Sequence, residues 1–149
     1  MSNLKVQGNA SGSGTTTLQS PNTSVSATIT LPDSTSADTL GYLNAPINSQ
    51  SAAYTAVATD AGKIIFHPST DANARTFTIP ANGSVGYDTG TVLTFINMTS
   101  QVVTIAITTD TMYLAGTGTT GSRSLAQYGI ATAVKMTSTT WLISGTGLT

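Results

Sequence analysis

Residues 91–98 read TVLTFINM and residues 102–108 read VVTIAIT, with Thr99, Ser100 and Gln101 between them. Both runs are rich in β-branched residues, which crowd a helix and suit a pleated surface. Two such runs about a short polar linker predict a β-hairpin. Alternation assigns their faces. Val103, Ile105 and Ile107 share one side of their strand, opposite Val102, Thr104, Ala106 and Thr108. The first run divides into Val92, Thr94, Ile96 and Met98 on one side and Leu93, Phe95 and Asn97 on the other, and neither side is cleanly polar. A strand apolar on both sides is central in a sandwich or faces another subunit.

The same pattern extends outward. Residues 63–67 (KIIFH) end at Pro68; residues 75–79 (RTFTI) end at Pro80, and Ala81 to Ser84 follow as a turn. Residues 130–136 and 141–144 form a second strand pair around residues 137–140. Only Ser124 to Tyr128 (SLAQY) has the composition of a single helical turn. Several short strands at close spacing predict an all-β fold, a short-stranded antiparallel sandwich or jelly roll, over residues 51–149. Residues 1–50 differ. They are rich in Gly, Ser, Thr and Asn, and their short β-like runs, 15–19 and 27–31, each end at a proline-containing breaker. So few apolar residues do not offset the ordering entropy of such a segment. This predicts an extended N-terminal arm, either a flexible tail or a segment ordered against another chain, with Leu4, Val6, Leu18, Ile29, Leu31 and Leu40 as its anchors.

Composition narrows the function. Charged residues make up 7% of the 149-residue chain, against about 25% in an ordinary soluble domain. There are five basic and six acidic side chains, all six acids being Asp, and the net charge is −1. With no basic run, the chain is not expected to bind nucleic acid or an anionic membrane, because both need clustered Lys and Arg. The absence of cysteine removes disulfides and thiolate metal sites. The N-terminus lacks the apolar core of a signal peptide, and no stretch approaches the about 18 apolar residues of a membrane span. A surface of hydroxyls in place of charges suits a protein that sits against other proteins.

The search for chemistry finds little. His67 is the one histidine; with no Cys and no Glu it does not build a zinc site by itself. It is also the one possible base for a serine nucleophile, and no Ser lies in a G-x-S-x-G elbow. Asp60, Asp71, Asp88 and Asp110 are the candidates for a glycan-cleaving carboxylate pair. Each sits in a turn-like context (TDAG, TDAN, YDTG, TDTM), which side-chain bonding to nearby backbone amides explains at once. Residues 116–123, GTGTTGSR, are glycine-rich without the Gly-Lys-Ser/Thr of a phosphate cradle. They read as a partner-contact loop carrying Arg123 or as a permissive turn. Tyr128 and Trp141 read as core or subunit-interface aromatics in preference to a ligand platform, and Phe95 belongs with them as an interface candidate. No catalytic residue, metal or cofactor is expected.

Two sets of residues carry a resemblance. Leu18-Gln19-Ser20-Pro21-Asn22, followed by Ala27-Thr28-Ile29-Thr30-Leu31-Pro32-Asp33, is similar to a T-L-x-x-P-N … T-I-T-L-P-D pattern of tailed-phage virion proteins, both tail-fibre stems and head-associated proteins. Residues 77–82 (FTIPAN), 90–97 (GTVLTFIN), 115–118 (AGTG) and 140–145 (TWLISG) resemble a β domain of phage structural proteins. Tail fibres carry long upstream stems, which these residues do not match. The resemblance therefore implies a capsid decoration, or cement, protein on the virion exterior, made in the host bacterial cytoplasm. It implies a homotrimer whose partner is the major capsid protein. The alternative it implies is a tail-fibre or receptor-binding segment, with Tyr87, Tyr113, Tyr128 and Trp141 as the aromatics available to a glycan.

Overall fold

The computed structural model describes residues 44–149. The arm anchors Leu4, Val6, Leu18, Ile29, Leu31 and Leu40 lie outside the described residues. The strands are β1 (Ile47–Ser49), β2 (Tyr54–Thr55), β3 (Ile64–His67), β4 (Arg75–Ile79), β5 (Val92–Asn97), β6 (Val103–Ile107), β7 (Thr111–Leu114), β8 (Arg123–Thr137) and β9 (Thr140–Leu148). Among the described residues there is no α-helix, and a single 3-10 turn spans Ala58–Asp60. The expectation of a β fold holds for this part of the chain. Because β1 already pairs with β3, the β domain begins before residue 51, where the change in composition placed its boundary.

The hairpin expected of residues 91–108 does not form. β5 pairs antiparallel with β8 from Val92↔Val134 to Asn97↔Gly129, and β6 pairs antiparallel with β8 from Val103↔Leu125 to Ile105↔Arg123. The two strands follow one another along one edge of β8, while β9 takes the other edge. Asn97 is the physical reason. Its Nδ2 donates to the carbonyls of Gln101 (2.8 Å) and Leu125 (3.0 Å), and its Oδ1 accepts the Thr99 backbone N–H (3.0 Å). A side chain that ties down the backbone after it turns the chain through a corner. Thr99-Ser100-Gln101 also lacks the Gly or Asn that a tight hairpin needs.

Among the described residues, five of the eight strand pairings are parallel, which corrects the antiparallel expectation. β1, β3 and β5 stack in parallel through Ile47↔Ile64 and Ile64↔Thr94. β2, β4 and β6 do so through Tyr54↔Phe77 and Phe77↔Ile105. The chain thus makes three strand–corner–strand passes, over residues 47–55, 64–79 and 92–107, each laid on the one before. Parallel neighbours require a long connection; here the second strand of each pass and its loops supply it. β8 runs against the last pass and closes both ladders, and β9 returns along it as the hairpin the sequence predicts, with Thr137↔Thr140 at its end. β7 pairs in parallel with β9.

The sheet curls, so that inward residues of both ladders share one core. Ile65, Leu93 and Phe95 come from one ladder and Phe77, Ile79 and Ile105 from the other, with Trp141 and Ile143 of β9 closing it. The helical turn expected at Ser124 to Tyr128 is instead strand, interrupted by a register slip between Leu125 and Ile130. Tyr128 sits in that slip at φ 60, the one positive value outside glycine among the described residues. Gly145 is what lets β9 close on β8 beside it, since a Cβ there would collide with the Ile130 carbonyl oxygen.

Candidate functional site

The outer face of the curled sheet is the feature that the core does not use. Alternation along β5 puts Leu93, Phe95 and Asn97 inside and leaves Val92, Thr94 and Ile96 outside. Pairing then extends each outward residue into a row, because cross-strand partners share a face. Val92, Val134 and Leu142 form the first row. Ile47, Ile64, Thr94, Thr132 and Ser144 form the second. Ser49, Phe66, Ile96, Ile130 and Thr146 form the third. No charged side chain stands in any row. Ile47 is 66% exposed and Ile130 45%, and Val92 and Leu142 are exposed beside them. Apolar and hydroxyl-bearing residues laid out in this way offer a surface that a second uncharged surface could cover without stranding a charge.

The four β-domain residues singled out as contacts fall into different places. Phe95 and Trp141 are fully buried within one copy of the chain. Trp141 stacks edge-on against Tyr87, ring centroids 5.7 Å apart. Tyr128 is 70% exposed, held out by its strained backbone. Arg123 donates from Nη2 to the Thr119 carbonyl of its own loop. Gly116, Gly118 and Gly121 all adopt positive φ in that loop, so its glycines are there to turn the chain. Of the four aromatics available to a glycan, Tyr87 and Trp141 are buried, and Tyr113 and Tyr128 face solvent.

The polar residues of the interior hold corners together. His67 and Asn97 lie side by side in register at the ends of β3 and β5, both fully buried. The His67 ring sits between the carbonyl oxygens of Gln50 (2.9 Å from Nδ1) and Asn73 (3.2 Å from Nε2). Asp71 is fastened by Arg75 Nε at 2.7 Å and by the Asn73 side-chain amide. Its backbone carbonyl accepts the Thr99 hydroxyl at 2.7 Å. These contacts join the corner between β3 and β4 to the corner between β5 and β6. Asp60 plays the same part at the other end, accepting from the Asn48 amide, the Tyr54 hydroxyl and the Val57 N–H. Burial, and then that carboxylate, push the Tyr54 hydroxyl up from its ordinary value. Among the described residues, no cluster of three or more His or Asp side chains is placed to hold a metal ion.

Asp71 makes stability depend on acid. The Arg75 guanidinium, aided by Asn73, lowers its carboxyl from 3.8 to about 2. A carboxyl depressed on folding contributes stability that is complete above its unfolded value and is lost as pH falls through the folded value. The urea midpoint is therefore expected to fall as pH is lowered from about 4 toward 2. Asp71→Asn should lower the midpoint at neutral pH and flatten that acid dependence. An unchanged slope in the variant would place the acid sensitivity elsewhere.

No protein family, no curated protein and no solved structure was found to match the chain. Among the described residues, no helix is long and apolar enough to cross a membrane.

Proposed function

We propose that the chain is a non-enzymatic structural protein of a tailed-phage virion, a capsid decoration (cement) protein that self-associates through the outer face of its curled sheet. The observation that carries this reading is the uncharged outer face itself: rows of Val, Ile, Leu and Thr spanning β1, β3, β5, β8 and β9 on a unit whose core is complete without them. Two copies that meet there bury apolar area, worth roughly 25 cal/mol per Å², and leave no charge unpaired. A homotrimer on the capsid exterior, its arms over residues 1–50 laid on neighbouring major capsid subunits, gains from multiplicity, because each further arm binds at high effective concentration. In this reading the two ladders, which share one core, are the two layers of an imperfect sandwich. The resemblance of residues 18–22, 27–33, 77–82, 90–97, 115–118 and 140–145 to virion proteins supports the assignment to phage.

The second reading is a tail-fibre or receptor-binding segment. It is favoured by one observation, the strained and exposed Tyr128, with Tyr113 as a second solvent-facing ring. Imaging of purified particles, with mass spectrometry of their proteins, separates the two. Density for this chain over the shell supports decoration. Density at the tail tip supports receptor binding, and absence of the chain from particles overturns both.

A further inference from the structure

The far end of β8 holds a group that assembly does not use. Lys135 continues the inward face of Ala131 and Ala133 and is 1% exposed. Among the described residues the ion pairs are those of Asp71 with Arg75 and His67, so Lys135 is buried without a carboxylate partner. That is rare for lysine. Its Nζ lies 5.3 Å from the ring centroid of Trp141 and 6.0 Å from that of Tyr87. It donates one hydrogen bond, 2.8 Å long, to the side-chain oxygen of Asn82. The amide carbon of Asn82 is therefore at most about 4 Å from Nζ, since a C=O bond is about 1.2 Å long. Beside the pair stands Asp110, itself buried. Its Oδ1 accepts the Asn82 backbone N–H at 3.2 Å, and its Oδ2 is buried with no partner.

We propose that Lys135 and Asn82 are a self-modification site and form an intramolecular isopeptide bond, with Asp110 as the proton carrier. An amine, a carboxamide and a carboxylate held together in an apolar setting are the components that amide exchange needs, and their fixed placement replaces a bimolecular encounter. Asp110 is not within ion-pair distance of Nζ at rest, and it takes one proton from the Lys135 ammonium when its unpartnered Oδ2 swings toward it. The freed lone pair attacks Cγ of Asn82 and makes the new C–N bond. A second Nζ proton passes to Nδ2 as the Cγ–Nδ2 bond breaks, and ammonia leaves through the half-buried Asn82 loop. It carries off the proton held by Asp110, which restores the carboxylate. No oxidant, metal or cofactor enters the balance. The bond would tie the loop after β4 to β8, across 53 positions of sequence.

Intact mass spectrometry of the denatured full-length chain is the test. The expected mass is lower than the sequence mass by one ammonia, and digestion should yield a branched peptide joining Asn82 to Lys135. Asn82 precedes Gly83, and cyclisation of such a pair to a succinimide also loses ammonia. Lys135→Arg separates the two routes: it should restore the full mass, whereas a succinimide would persist in it. Asp110→Asn should also restore the full mass while both reacting residues remain. Full sequence mass in the unaltered protein, or a mass loss that survives Lys135→Arg, overturns the proposal. A branched peptide in Asp110→Asn overturns the part given to Asp110.

Discussion

Trp141→Ala should unfold the β domain more readily than any other single truncation, by about 3–5 kcal/mol. Trp141 is fully buried between the two ladders, edge-on to Tyr87 and beneath the Lys135 Nζ. Its removal takes out the largest buried side chain and leaves a cavity that strands paired along β8 are not free to close. Its indole N–H has no partner, so the loss includes no hydrogen bond. Trp141→Phe is correspondingly expected to cost less, because it keeps a ring against Tyr87 and loses the unpaired donor and only part of the indole's volume. Urea unfolding followed by circular dichroism measures both, at one fixed chain concentration because assembly shifts apparent stability. The variant lacks the chain's sole tryptophan, so fluorescence would not serve. Equal costs for Ala and Phe would mean that the ring does not fill the core.

Ile130→Asp combined with Leu142→Asp should weaken self-association about 100-fold and leave the fold intact. Both side chains point outward, at 45% and 38% exposure, from the third and first rows of the outer face. An aspartate in a covered apolar face is left without a partner, and copies around a symmetry axis repel one another. About 3 kcal/mol lost in this way weakens association about 100-fold. The circular dichroism spectrum should not change, because neither residue belongs to the core. Unaltered assembly in the double variant would mean that copies meet elsewhere.

The sequence shows which residues point inward more clearly than which strands are neighbours. The alternation in residues 91–108 groups Val103 with Ile105 and Leu93 with Phe95, and the structure buries both groups, although Phe95 was expected at a subunit interface. The apolar outer side of β5, expected to be central or to face a subunit, is the middle of the uncovered face. Alternation fixes a face and says nothing of the partner, so a parallel coil and an antiparallel sandwich look the same strand by strand. The false hairpin arose there. The clue against it was Asn97, a polar residue ending an inward face, and His67 after Ile65 and Lys135 after Ala133 repeat the pattern. Each is a buried polar group where the chain leaves a strand, and each finds its partners in a neighbouring loop. Period-two reading alone would have found the buried lysine. Asn82 and Asp110, brought to it from distant loops, leave no local signal.

The account rests on the outer face being covered by further copies of the chain, and sedimentation of the unaltered protein tests that most directly. At micromolar chain concentration the predicted result is one species at three times the 15.1 kDa of a single chain. A single 15.1 kDa species across that range would contradict it.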